Sequence, residues 1–202
     1  MKNIRWGLIF NVFLGVAALA GLVVLMGLIS RKDAVQVCTV LKVNVEGKET
    51  FIDQHDISKM INNQFGAIVG KELKAIKFEE IENAIEKLPY VSNAEIHADM
   101  DGTINVNVHQ REVILRVINK DGREFYVDTK GHKIPVTLKY VPHVLVANGK
   151  IQEGYTKPLE PITTKMVQDL IRIVEHIKGD ELWENQIVQI YVNEQSDIEL
   201  IP

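Results

Sequence analysis

The sequence predicts an α+β protein in three parts: one N-terminal transmembrane helix, a β-α-α-β-β unit, and a β-rich domain with one amphipathic helix. Three observations predict this. The first 30 residues are apolar and nearly uncharged, helical hydrophobic spacing recurs further on, and period-two alternation broken by Asp-Gly turns fills much of the remainder. The 202 residues are 46% hydrophobic and carry a net charge of −4, but the charge is unevenly spread. Residues 31–202 hold 21 basic and 27 acidic side chains, a formal charge of −6, so the chain is two materials joined end to end. That balance argues against a general nucleic-acid binder, which needs a basic face.

Trp6 to Ile29 is a run of 24 residues, of which 19 are apolar, four are Gly and one is Asn11. At about 1.5 Å per residue it gives roughly 36 Å of helix, enough to cross a hydrocarbon core of about 30 Å. A cleaved signal peptide is the rival reading, because Ala18-Leu19-Ala20 imitates a cleavage site. The apolar run continues through Leu22–Ile29, well beyond that site, and favours an uncleaved anchor. Lys2, Arg5 and the α-amine before the span, against Arg31 and Lys32 after it, favour a cytoplasmic N-terminus by a narrow margin, and the very short N-terminal tail agrees. Ala17 and Gly21 form a small-xxx-small pair. The expected layout is a short tail over 1–5, the span over 6–29, a juxtamembrane linker over 30–36, and domains over 37–110 and 111–202. Cys38, the one cysteine, cannot form an intrachain disulfide, so the exterior part must be held by its core.

Residues 35–45 alternate as a strand. A helix is expected near Asp53–Asn63, with Ile57, Met60 and Ile61 on one face and Asp53 as its N-cap. A second helix places Phe78, Ile81, Ala84, Ile85 and Leu88 at helical spacing and stops at Pro89. Two hairpins follow. In the first, the apolar sets Ala94-Ile96-Ala98 and Ile104-Val106-Val108 are all even-numbered. A two-residue Asp101-Gly102 turn would set Ile96 opposite Asn107 and mismatch the faces. A three-residue loop, Met100-Asp101-Gly102, pairs Ala98 with Ile104 and Ile96 with Val106, and puts Gly102 at the left-handed position. The same logic at Lys120-Asp121-Gly122 sets Val117 opposite Phe125 and Leu115 opposite Val127. A strand over Val141–Ala147 closes at Asn148-Gly149, and 150–161 reads as an irregular connection. An amphipathic helix from about Thr163 to Lys178 buries Met166, Val167, Leu170, Ile171, Val174 and Ile177, with Gly179 as C-cap. A strand over Ile187–Val192 and an alternating run over Asp197–Pro202 end the sequence, and this last domain is expected to be incomplete.

Residue types that carry catalysis occur without the settings they need. Ser30, Ser58, Ser92 and Ser196 lie in no Gly-x-Ser-x-Gly or Ser-x-x-Lys context. Gly66–Lys71 resembles a phosphate loop but is one spacer short, and Glu72 stands where a hydroxyl residue would hold Mg²⁺. His97, Asp99 and His109 share a strand face, but the register sets His97 opposite Asn105 rather than His109. The expectation is a protein without catalytic residues, cofactor or metal.

The stretch Leu88-Pro89-Tyr90-Val91-Ser92-Asn93-Ala94-Glu95-Ile96 is similar to the LP-aromatic-V-x-x-A-x-V stretch of the bacterial cell-division family FtsQ/DivIB. Gly102–Val108 resembles that family's following strand, and Phe125-Tyr126-Val127-Asp128-Thr129-Lys130-Gly131 resembles its Y-Y/V-D-x-x-G motif. The three occur in order behind the apolar segment and cover roughly 36–135. One departure is Gln110-Arg111-Glu112-Val113, where the family usually has Glu-Arg-x-Pro, which weakens the domain break.

The resemblance implies a POTRA-like domain over 37–110 and a single-pass protein of the bacterial inner membrane. Its bulk would be extracytoplasmic, at the division septum. It implies a non-enzymatic divisome scaffold that docks partners of the FtsB/DivIC and FtsL type through strand edges. On this reading Ile187, Gln189, Tyr191, Glu199 and Leu200 are the expected partner-binding residues, with no small-molecule substrate and no nucleic acid. The alternative is a POTRA-type chaperone or receptor module in envelope protein assembly.

Overall fold

The computed structural model of the chain describes residues 6–33 and 36–202, and side chains from 13–26 and 36–202. Helix α1 spans Trp6–Asp33. The expected transmembrane helix is corrected by the structure: among the described residues no helix is long and apolar enough to cross a membrane. The expected tail over 1–5 and residues 34–35 of the expected linker lie outside the described residues.

The α+β part of the expectation holds. Strand β1 (Val40–Glu46) is followed by helix α2 (Gln54–Phe65), a short 3₁₀ turn (Leu73–Ala75), helix α3 (Phe78–Glu86) and strands β2 (Val91–Ala98) and β3 (Thr103–Gln110). Asp53 caps α2 with its side chain on Asp56 N (2.9 Å), and the Asp56 carboxylate returns the bond to Asp53 N (3.1 Å), a reciprocal box. The sheet order is β1-β3-β2, with β1 parallel and β2 antiparallel to β3. Ala98 faces Ile104 and Ile96 faces Val106, as the three-residue loop requires, and Gly102 adopts φ 87°. The face bearing Val43, Ala94, Ile104, Val106 and Val108 buries against Ile57 and Ile61 of α2 and Ile81 and Ile85 of α3. The opposite face carries Asn44, His97, Asn105 and Asn107, with Asn44 Nδ2 donating to Asn107 Oδ1 at 3.0 Å.

The second unit holds strands β4 (Val113–Ile118), β5 (Glu124–Asp128), β6 (Lys133–Pro135) and β7 (Leu145–Gly149). Helices α4 (Lys165–Lys178) and α5 (Glu181–Gln186) and strands β8 (Gln189–Val192) and β9 (Ile198–Ile201) complete it. Its six-stranded sheet runs β6-β5-β4-β7-β8-β9. Val117 faces Phe125 and Leu115 faces Val127, as expected. β7 lies parallel to both β4 and β8, so α4 is the crossover that returns the chain to the same sheet direction. Val167, Leu170, Val174 and Ile177 of α4 cover Leu115, Val117, Phe125, Val127, Ala147 and Ile190.

The two sheets share apolar packing. Val113, Tyr126 and Ile134 of the second unit belong to the same buried cluster as the helices of the first. Phe51 stacks on Tyr90 (centroids 4.9 Å) and meets Tyr140 edge-on (5.1 Å), while the Tyr90 hydroxyl donates to Pro135 O at 3.3 Å. Gln110, at the point where the motif departs from the family pattern, accepts from Ile52 N (3.0 Å) and donates to Glu49 O (2.6 Å). Arg111 pairs with the buried Asp128 at 2.8 Å. The junction is therefore packed and bonded on both sides.

Candidate partner-docking edge

The last two strands form a hairpin whose geometry is set by one residue. Asn193 Oδ1 accepts from Gln195 N (3.0 Å) and Asp197 N (2.9 Å), while Asn193 N donates to Asp197 O (3.1 Å). This folds the turn tightly, and Ser196 takes a left-handed conformation at φ 69°. Asn193 Nδ2 also donates to Glu199 Oε1 (2.9 Å). The register then sets Tyr191 opposite Glu199 and Ile190 opposite Leu200. On its other side β8 lies against β7, where Gly149 sits at φ 100° and a Cβ would meet Val192 O at 2.1 Å. Only glycine fits that close approach.

β9 is the terminal strand of the sheet order, and its outer side has no strand beside it among the described residues. The five expected contact residues divide by burial. Ile187 is buried in the second core, so it supports the edge from inside. Gln189 is half-buried and donates from Nε2 to Asn148 Oδ1 at 3.0 Å, tying β8 to β7. Tyr191, Glu199 and Leu200 are exposed, Tyr191 by 37% and Leu200 by 39%.

Beside this edge the structure brings in residues that the sequence reading missed. Asp180 caps α5 by accepting from Leu182 N (2.9 Å) and Trp183 N (3.4 Å). The short helix presents Trp183, 41% exposed, toward Ile173, Ile177, Ile198 and Leu200. Together with Arg172 and His176 they line an open groove of about 390 Å³. Asp180 directly ahead of Glu-Leu-Trp-Glu is the N-cap signal that announces α5 in the sequence. An exposed strand edge next to an apolar groove can take a partner strand by backbone hydrogen bonds and anchor its side chains in the groove.

Other features of the sequence resolve into structural roles. In the Gly66–Lys71 segment, Gly66 is the C-cap of α2, and Lys71 Nζ donates to Phe65 O at 2.8 Å, so the segment ends a helix rather than opening one. His97 stands opposite Asn105, and His109 pairs with Glu46 at 3.5 Å. Among the described residues no group of three or more His, Cys, Asp or Glu side chains is arranged to hold a metal ion.

Residues 36–109 match a family model described as a POTRA-like domain, and residues 112–202 match one described as FtsQ/DivIB, C-terminal related. Over these residues the chain is similar to the FtsQ/DivIB proteins. Two curated relatives carry the name Cell division protein FtsQ, from Rickettsia felis and Rickettsia conorii. Each is 26% identical over 108 residues, covering 54% of this chain and 38% of the relative. The matched stretch thus spans well under half of those FtsQ proteins.

Proposed function

We propose that this FtsQ/DivIB-related chain serves bacterial cell division as a non-catalytic scaffold at the membrane-associated septum, linking division proteins of the FtsB/DivIC or FtsL type. The observation that carries the reading is the open β9 edge beside the Trp183 groove, in the unit that matches the FtsQ/DivIB C-terminal-related model. Backbone groups of β9 would supply the pairing, and Tyr191, Glu199 and Leu200 would fix register and side-chain fit, over a base held by Ile187 and Gln189. Such docking draws affinity from main-chain hydrogen bonds and specificity from alternate side-chain positions. This accounts for a chain whose serines and histidines lie in no catalytic setting.

The test uses a Tyr191→Asp, Leu200→Asp double variant. Both side chains are partly exposed, so the fold survives; the charge at Leu200 opposes an apolar anchor in the groove, and the one at Tyr191 removes an aromatic contact on the other face of the hairpin. The expected result is loss of co-purification with FtsB/DivIC- or FtsL-type partners at unchanged circular dichroism. Capture equal to that of the unmodified chain would remove β9 from the docking surface. A midcell band of a fluorescent fusion in dividing cells is expected, and a uniform envelope signal would favour the envelope-assembly alternative.

A further inference from the structure

The outer strands of the two sheets are finished in different ways. β6 is covered by backbone: Lys133 N donates to Glu160 O (2.9 Å) and Leu159 N to Lys133 O (2.9 Å). β2 is closed by side chains. Its register on β3 turns the N–H groups of Ala94 and Ile96 away from the sheet. Ala94 N donates to Glu86 Oε1 at 3.2 Å, and Ile96 N to Glu82 Oε1 at 2.6 Å. Glu82 and Glu86 are four residues apart on α3, so one helical turn matches the two-residue step along the strand.

An edge with free N–H groups is a template for another chain. We infer that Glu82 and Glu86 hold the β2 edge closed, and that the strand they exclude is β2 of a second copy. A two-fold pairing centred on Ile96 would set Ala94 opposite Ala98 of the second copy, which continues the apolar face. It would set Glu95 opposite His97 of the second copy, a favourable cross-strand pair on the polar face. Such pairing needs the outward N–H groups that the two carboxylates occupy. It also brings two α3 helices side by side, so the glutamates of both copies would meet and repel. One pair of side chains therefore satisfies the edge and rejects its self-complement.

The test places a reporter in the full-length chain. Glu95→Cys with His97→Cys forms an intermolecular disulfide when two β2 strands pair in this register, because a non-hydrogen-bonded cross-strand pair lies within disulfide reach. The native Cys38 is buried and common to all variants. Adding Glu82→Ala and Glu86→Ala is expected to raise the disulfide-linked dimer on the order of tenfold over the reporter alone, since two charge-assisted caps are lost. Glu82→Gln with Glu86→Gln keeps an acceptor oxygen on each side chain but loses its charge, and is expected to give a dimer yield between the reporter-only level and that of the double alanine variant. Alanine favours helix, so α3 is retained. If the double alanine variant does not hold its fold, Glu86→Ala alone frees the Ala94 N–H and is read in the same way. Equal dimer yields with and without the glutamates overturn the inference.

Discussion

Lys133 shows how a charge is tolerated inside this chain. Its ammonium lies 2.7 Å from Glu153 Oε1, with both side chains almost fully buried, and 3.2 Å from Glu160. Glu153 also accepts from Thr163 N (3.1 Å), Thr163 Oγ1 (2.9 Å) and Thr164 N (2.8 Å) at the start of α4. Burial by itself pushes the Glu153 carboxyl upward, but Lys133 and the threonine donors outweigh it and hold the group down at about 2, against an ordinary 4.5. Because the folded value is the lower one, the folded state favours the ionised carboxylate. The associated stability is fully present above pH 4.5 and is lost as pH falls toward about 2. Acid unfolding should therefore steepen in that window, and Glu153→Gln should remove that part of the pH dependence. Lys133→Met should cost about 3–5 kcal/mol in urea unfolding at neutral pH, because it strands a buried carboxylate. A loss below about 1 kcal/mol would show that Glu153 finds other partners or protonates at little cost.

Among elements, the β7–β8 pairing depends on the absence of a side chain at Gly149. Gly149→Ala forces a Cβ against Val192 O at positive φ and should destabilise by about 1–3 kcal/mol, read by thermal unfolding. Amide exchange should rise first in β8 and β9, which hang on that contact. Elements with strong periodicity or decisive turns were legible in the sequence: the capped α2, α3 up to Pro89, both Asp-Gly hairpins with their registers, and α4 up to Gly179. Short elements were not. β6 has three residues and ends in Pro135, so its pairing with β5 comes from tertiary contact rather than pattern. α5 has six residues, too few to show a period, yet it delivers Trp183 to the groove. β7 begins at Leu145 rather than Val141, whose side chain is exposed. The candidate edge was half legible for the same reason: alternation marked β8 and β9, but the groove beside them depends on where α5 lands.

Over the whole molecule, the two units behave as one packed body because their cores meet. Phe51 comes from the first unit, is 3% exposed, and contacts Tyr126 and Tyr140 of the second. Lys139 of the second unit pairs with Asp53 (2.9 Å) and Asp56 at the α2 N-terminus. A single cooperative transition is expected for residues 36–202. Phe51→Ala should cost about 3–5 kcal/mol and broaden or split that transition, as seen by calorimetry. An unsplit transition with a small shift would mean that the polar contacts alone couple the units. The Arg111–Asp128 pair at 2.8 Å crosses the same junction and supports the same coupling.

The strand order of the larger sheet also imposes a schedule on its making. β9 rests on β8, β8 on β7, and β7 on β4, and the crossover between β7 and β8 must pass through α4. β9 is therefore made after every strand it rests on. While residues before 198 are emerging, a partner that recognises this edge has nothing to bind, and the exposed strand at that stage is an unfinished one. Recognition at β9 would thus report on the strands beneath it, admitting only chains that have already folded through the β7–β8 crossover.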